Sequence, residues 1–210
     1  MLSWQYSIPL LLIGGTIAFY WQQVLRMASK QRKRTGKAAN LIPPEPLGRL
    51  LRILWTPIVV IWIAHPVAAA FWADPPAVAR PLFAVWWITW LSAGIVMAGM
   101  AITRSCWKRM GRNWRMGIDP SEKTSLVFDG LFAYVRHPIY ALSAGMMSAT
   151  MVALPTPLML TAGLLHIVLL VWESAREERH LLAVHGRDYQ MYRQRVGRLI
   201  PWSVRPYGRA

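Results

Sequence analysis

The chain has few charged residues and almost no cysteine. Only 16% of its 210 residues are charged, whereas soluble domains carry nearer a quarter. The single cysteine, Cys106, can form no internal disulfide, and without a CxxC pair there is no basis for a zinc site. We therefore expect neither a disulfide framework nor a metal centre.

Acidic residues are particularly scarce, with 9 Asp and Glu against 24 Lys and Arg, which gives a net charge of +15. Basic residues beside apolar stretches are typical of the cytoplasmic loops of membrane proteins and of contact with anionic headgroups. We therefore expect membrane lipids as partners, and not nucleic acid. Three segments hold 8, 7 and 8 of the basic residues: 26–52, 104–136 and 173–210.

Long uncharged runs separate these basic segments. A bilayer core needs about 20 apolar helical residues to span it, and no segment alternates with the period of two that a membrane barrel requires. The fourth run has 36 residues and contains Pro155 and Pro157, so it suits two short helices that turn at LPTP. The sequence predicts an all-α integral membrane protein with about five transmembrane helices. The uncharged runs are 1–25, 53–73, 81–103 and 137–172.

The charge distribution also predicts a topology. Basic loops stay in the cytoplasm, so the N-terminus is expected outside and the C-terminus inside. Residues 1–25 lack a basic leader and a cleavage site, and we interpret them as an uncleaved first span. We expect one membrane domain, with three spans and the basic loop in 1–103 and a catalytic part in 104–210. The predicted helices are 4–25, 53–73, 82–103, 138–154 and one from 157 that projects into the cytoplasm until Gly186.

Two polar motifs flank the predicted hairpin, YVRHPIY before it and ESAREERHLL after it. Pro138 suits a first helical turn, which places Arg136 and His137 at a helix N-terminus that favours anionic groups. Glu173 and Glu177 lie one turn apart on one helical face. Because a hairpin returns its two open ends to the same side, we expect a polar pocket there. The alternative is a snorkelling Arg–His pair and a solvated, self-paired face.

The stretches SLVFDGLFAYVRHPIY and EERHLLAVHGRDYQMYRQRVGRLIP together resemble the isoprenylcysteine carboxyl methyltransferase family. Members of that family are integral membrane enzymes that use S-adenosylmethionine, and phospholipid N-methyltransferases share the general pattern. The resemblance covers residues 124–201. It rests on Leu126-Val127, Gly130, Arg136-His137-Pro138 with Tyr140, Glu177-Glu178 with Leu181, Gly186, Tyr189, Tyr192 and Ile200-Pro201.

The resemblance implies a cytoplasmic cofactor pocket built from the loop between helices three and four and the C-terminal helix. The residues expected to act on the acceptor are Arg136, His137, Glu173 and Arg176. The residues expected to line the cofactor pocket are Thr124, Ser125, Leu126, Val127, Gly130, Phe132, Tyr134, His137, Pro138, Ile139, Tyr140, Glu177 and Glu178.

The chemistry of S-adenosylmethionine fits these residue types. A glutamate can hold its ammonium or ribose hydroxyls, Arg136 and His137 suit its carboxylate, and an aromatic ring can stack on its adenine or face its sulfonium. Methyl transfer mainly requires alignment and exclusion of water. A carboxylate acceptor needs no base, whereas an amine or thiol does, and His137 or Glu173 is the nearest candidate. The candidate aromatic rings are Phe132, Tyr134 and Tyr140.

The chain departs from the family at two positions. Phe132 replaces a tyrosine, and Glu173 stands where the isoprenylcysteine enzymes carry a substrate-binding arginine. A glutamate there repels a carboxylate substrate unless Arg176 compensates, which favours an amine or a thiol on a small amphiphilic or lipid-like acceptor that enters from the bilayer. The oligomeric state stays open.

Two interpretations from other classes stay open, a non-catalytic lipid-binding scaffold and a membrane reductase that uses a nicotinamide cofactor. The compact length and the lack of a retention signal suggest a bacterial inner membrane, with the active site facing the cytoplasm.

Overall fold

A computed structural model describes residues 4–35, 41–118 and 125–208. Within these ranges the chain is helical and contains no β-strand; the only bridge is an isolated one. The five long helices are α1 (Trp4–Thr35), α2 (Pro46–Phe71), α3 (Trp86–Met110), α4 (Pro138–Ala153) and α5 (Pro157–Arg195).

Four of these helices are long and apolar enough to cross a membrane: α1, α2, α3 and α5. The fifth, α4, is apolar but shorter, with 16 residues. The protein is therefore an integral membrane protein, and the predicted fold class is confirmed. Large apolar side chains such as Phe19, Val60 and Val168 are exposed along the helices, as expected of surfaces that face lipid.

Several helices extend beyond the uncharged runs that predicted them. α1 continues to Thr35 rather than ending at Leu25, and α3 ends at Met110 rather than Thr103. Their last turns are basic, which favours a helix C-terminus. α5 has 39 residues, or about 58 Å at 1.5 Å per residue, against a bilayer core of about 30 Å. Its second half, including Glu178, therefore lies outside the membrane-spanning part. Gly186 has φ 51 and interrupts the helical geometry there.

The turn between α4 and α5 lies at the predicted LPTP sequence. Thr156 caps α5, because its hydroxyl oxygen accepts a hydrogen bond from the Met159 N–H at 3.0 Å. Pro157 occupies the first helical position, where its missing N–H is not needed. The His65 Nε2 atom lies 2.8 Å from the same hydroxyl. These contacts fix the start of α5.

The described chain divides into two compact units. The first comprises Met1–Arg26, Ile53–Ala101 and Ser143–Leu169, and its interior holds a satisfied polar network around His166. Trp55 Nε1 donates to His166 Nδ1 at 2.9 Å, and His166 Nε2 lies 3.0 Å from Ser143 Oγ. Because Nδ1 accepts, Nε2 carries the proton and donates to Ser143. His166 is thus a structural residue of this unit.

The second unit comprises Met27–Arg52, Ile102–Leu142 and Leu170–Ala210. It brings together the three basic segments of the sequence, and it contains the motifs that flank the hairpin. The predicted division at residue 103 concerns functional parts rather than these contact units, and it stays a prediction, as does the orientation of the chain in the membrane.

Candidate active site

The backbone that leads into α4 is held by the C-terminal tail, which we define as residues 196–208. Val135 and Gly197 form a parallel bridge. The N–H groups of Arg136 and His137 donate to the carbonyls of Gly197 and Arg198 at 2.8 and 3.0 Å. The order of the RHP motif therefore depends on a segment about 60 residues away in sequence.

Gly197 has no room for a side chain. A Cβ atom at this position would overlap the carbonyl oxygen of Ile200 and approach Trp202 to 2.9 Å. The tail can make its close turn next to the RHP motif only with glycine here.

The Arg136 guanidinium is buried and engaged by protein groups. Its Nε and Nη2 atoms lie 2.8 and 2.7 Å from Oε1 of Glu178. Its Nη1 atom donates to the carbonyls of Arg193, at 3.0 Å, and Val196. Trp202 lies over the guanidinium at 5.7 Å. These contacts favour a positioning role for Arg136; its predicted action on the acceptor stays a prediction.

Glu178 is a structural anion. Arg198 Nη2 binds its second oxygen at 2.9 Å. Burial alone would raise the pKa of Glu178, but the nearby His137 ring and the hydrogen bonds from Arg198 and Arg136 outweigh it and lower the pKa to about 2. The carboxylate is therefore ionised at any physiological pH and does not exchange protons with a substrate.

His137 lies between the two glutamates of the EE pair. Its Nδ1 atom is 3.6 Å from Oε2 of Glu177, and its Nε2 atom is 3.5 Å from Oε1 of Glu178. The ring stacks on Tyr140, with centroids 5.5 Å apart and planes 4° from parallel. The Glu177 side chain is 25% exposed, against 3% for Glu178. Glu177 is thus the member of the pair that a ligand can reach.

Arg176 is bound by two carboxylates. Its Nε and Nη2 atoms bind Glu173 at 2.9 and 2.8 Å, in a bidentate geometry that favours ionised partners. Its Nη1 atom donates to Glu45, which precedes α2. The arginine expected to compensate for Glu173 therefore pairs with Glu173 itself. Glu45 accepts a hydrogen bond from the third guanidinium nitrogen, Nη1.

A cavity of about 350 Å³ lies farther along α5 in the same unit. Nε2 of His185 is buried and has no hydrogen-bond partner among the described residues. His185 and Asp188 contribute polar groups to the wall of this cavity, and Phe128 and Tyr207 contribute aromatic rings. The lining residues are Ser125, Leu126, Phe128, His185, Asp188, Met191 and Tyr207.

The structure places the other predicted site residues in different surroundings. Ser125 and Leu126 line the cavity. Gly130 has φ +64, a backbone conformation that favours glycine in this turn. The Phe132 carbonyl accepts the Tyr192 hydroxyl at 2.5 Å. Thr124 lies outside the described residues. Val127, Tyr134 and Ile139 are partly buried and Pro138 is buried at the start of α4.

Glu45, His185, Asp188 and Arg198 were not predicted from the sequence. Glu45 carried a signal, because it is the only acidic residue among the eight basic ones of 26–52. The other three follow from contacts between distant segments. Among the described residues, no group of three or more histidine, cysteine or acidic side chains could hold a metal ion.

Comparison with known proteins identifies the class of protein. The model of the family described as phospholipid methyltransferase matches residues 87–188, which include both the RHP motif and the EE pair. The chain is a membrane methyltransferase related to the phospholipid and isoprenylcysteine methyltransferases. A methanethiol S-methyltransferase from Crocosphaera subtropica (strain ATCC 51142 / BH68) is 27% identical over 206 residues, covering 92% of this methyltransferase and 75% of the relative. No solved structure matches the chain significantly.

Proposed function

We propose that this methyltransferase transfers a methyl group from S-adenosylmethionine to the sulfur of a small amphiphilic thiol. The observation that carries the proposal is the buried cluster in which the RHP motif of α4 meets the EE pair of α5. The name of the methanethiol S-methyltransferase relative supports the choice of sulfur.

The cofactor's polar groups match the residues around this cluster. The partly exposed Glu177 carboxylate suits the ammonium of the methionyl group. The cavity at His185 and Asp188 suits the ribose and adenine, since Asp188 can accept hydroxyl hydrogen bonds and Phe128 and Tyr207 supply aromatic surface. His185 lies eight positions after Glu177, which is about 12 Å and just over two turns along α5. An elongated cofactor can reach both places.

The charge around Glu173 supports a neutral acceptor. Arg176 is paired with Glu173 and Glu45, and Arg52 also interacts electrostatically with Glu173. A carboxylate acceptor would have to displace a glutamate to bind Arg176, whereas a thiol carries no charge before deprotonation and needs no arginine. This arrangement distinguishes the methyltransferase from enzymes that place an unpaired arginine at the acceptor.

Proton removal is assigned to His137. When bound, S-adenosylmethionine supplies an electrophilic methyl group on a sulfonium. The acceptor thiol gives its proton to the imidazole, while Glu177 at 3.6 Å from Nδ1 stabilises the resulting positive charge. The thiolate sulfur forms the new bond to the methyl carbon, and the carbon–sulfonium bond breaks to leave a neutral thioether. The products are a methyl sulfide and S-adenosylhomocysteine.

Methylation of a phospholipid amine is the second candidate, and the description of the matching family model favours it. We also propose that the active site faces the cytoplasm in an inner membrane, where the basic segments of the second unit would lie under the positive-inside rule. Labelling of single introduced cysteines in intact cells and in inverted vesicles tests this orientation.

An acceptor screen tests the proposed function. Protein in lipid nanodiscs receives isotopically labelled S-adenosylmethionine with short alkanethiols, alkylamines, alkyl carboxylates or phosphatidylethanolamine, and mass spectrometry detects the methylated product. We expect product from the thiols that His137→Ala reduces at least a hundredfold. Transfer to the phospholipid amine but not to thiols would favour the second candidate. No transfer and no cofactor binding would favour a non-catalytic lipid-binding protein.

A further inference from the structure

The C-terminal tail exposes apolar side chains beside the active-site motif. Ile200, Trp202 and Val204 are 74%, 66% and 92% exposed. They occupy every second position of a non-helical segment. Large apolar side chains this exposed are expected to contact something other than water.

The positive charge of this region indicates an anionic partner. Residues 189–210 contain five arginines and no acidic residue. Arg195 and Arg205 are exposed, and Arg205 directly follows Val204 in the chain. Tryptophan and aliphatic side chains among arginines are typical of segments that lie at an anionic bilayer surface. The helices of the protein already hold it in the membrane, so the tail meets headgroups at a high effective concentration.

The tail is also mechanically connected to the site. Gly197 and Arg198 accept the N–H groups of Arg136 and His137. Trp202 contacts the Arg136 guanidinium. A change in the position of the tail would therefore alter the backbone hydrogen bonds that hold the turn with His137.

We propose that residues 198–205 form an interfacial anchor that docks on anionic lipid, and that docking stabilises the RHP turn. The anchor inserts Ile200, Trp202 and Val204 at the level of the headgroups, while Arg205 pairs with lipid phosphate. Ordering of the active-site backbone then depends on the lipid composition of the membrane. The proposal does not depend on the identity of the methyl donor or acceptor.

A labelled cysteine measures docking. Val204→Cys in a Cys106→Ser background carries an environment-sensitive fluorophore, in nanodiscs that hold one copy of the protein. In discs with 30% phosphatidylglycerol, we expect nitroxide-labelled lipid to quench the label and iodide to reach it poorly. The iodide quenching constant should be about threefold lower than in neutral phosphatidylcholine discs. Raised salt should reduce the difference. Equal iodide access in both lipids would overturn the proposal. Protection that appears only when two copies share a disc would replace it with self-association.

Hydrogen exchange measures the effect on the turn without any activity assay. Amides in a peptide covering residues 131–142 should exchange at least threefold more slowly in the anionic discs. The double variant Val204→Ser/Arg205→Gln should abolish this lipid dependence. In the wild type these two side chains would touch the lipid and not the active-site motif, so the substitutions remove docking without altering the site. The matched control Arg80→Gln removes an exposed arginine outside the tail and should leave it intact. Unchanged lipid dependence in the double variant would contradict the coupling.

Discussion

Arg136 and Glu178 form a buried ion pair, with Nη2 of Arg136 2.7 Å from Oε1 of Glu178 and each side chain only 3% exposed. The pair joins the start of α4 to the extended part of α5. It therefore holds the two halves of the sequence motif, RHP and EE, in one arrangement, with Glu177 as the more exposed carboxylate beside it.

Removing one member of this pair should strongly destabilise the protein. Glu178→Gln leaves Arg136 and Arg198 without their anion, and we expect the free energy of unfolding to fall by about 3–5 kcal/mol. The matched control Glu177→Gln changes the more exposed neighbour and should cost less than about 1 kcal/mol. Unfolding in mild detergent, followed by circular dichroism, measures both. Equal losses in the two variants would contradict the structural role of Glu178.

The same pair predicts a pH dependence of stability. The pKa of Glu178 is lowered from 4.5 to about 2 in the folded protein, so its contribution is fully present above the unfolded-state pKa and is lost as the pH falls from about 4.5 towards 2. The stability difference between the wild type and Glu178→Gln should be constant from pH 6 to 8 and shrink below about pH 4.5. A difference that grows on acidification would contradict the assigned ionisation.

Gly197 should tolerate no substitution. In Gly197→Ala the new Cβ overlaps the Ile200 carbonyl, and relief requires the tail to move away from the RHP turn. We expect a loss of at least about 2 kcal/mol in unfolding free energy and faster hydrogen exchange across residues 131–142. Gly145→Ala is the control, because nothing lies within 4 Å of its new Cβ; as a helical site it should be neutral or slightly stabilised.

Releasing Arg176 should change acceptor preference. In the double variant Glu45→Gln/Glu173→Gln, the guanidinium loses both carboxylates and can bind an anion. We expect an alkyl carboxylate to inhibit this variant with a Ki at least tenfold lower than for the wild type, about 1.4 kcal/mol. The single variant Glu45→Gln keeps the bidentate pair and should change the Ki less than threefold. Equal inhibition of all three proteins would place the acceptor elsewhere.

The cavity on α5 should contribute to cofactor affinity. Asp188→Asn removes a charged acceptor from its wall, and we expect the dissociation constant for S-adenosylhomocysteine to rise about fivefold while the unfolding midpoint stays the same. Gln190→Ala changes an exposed residue of the same helix and serves as the control. Unaltered affinity in Asp188→Asn would remove the cavity from the proposed cofactor site.

The sequence predicted the elements well because their causes are local. Uncharged runs limit the membrane helices, and Thr156 with Pro157 starts α5 as expected from helix capping. Helix ends such as Thr35 were missed because the end of an apolar run marks the edge of the lipid, not the loss of helical propensity; basic residues continue a helix into water. The pattern cannot distinguish these two boundaries.

The site was predicted in part for a related reason. Arg136, His137 and the EE pair meet because one hairpin connects them, which the sequence shows. The partners that decide the role of each group are non-local: Glu45 on Arg176, and Gly197 and Arg198 on the RHP turn. The spacing of residues in the sequence does not show contacts between such distant segments. The pairing of Arg176 with Glu45 could therefore not be predicted, and the role of Arg176 toward the acceptor stays a prediction.

The most direct test of the account is calorimetric titration of S-adenosylhomocysteine into the purified protein, with Glu177→Ala measured in parallel. The account predicts micromolar binding by the wild type and an affinity at least tenfold weaker in the variant, about 1.4 kcal/mol, with no change in fold by circular dichroism. A folded wild type that shows no binding, or a variant that binds equally well, would contradict the assignment of the RHP–EE cluster as the cofactor site.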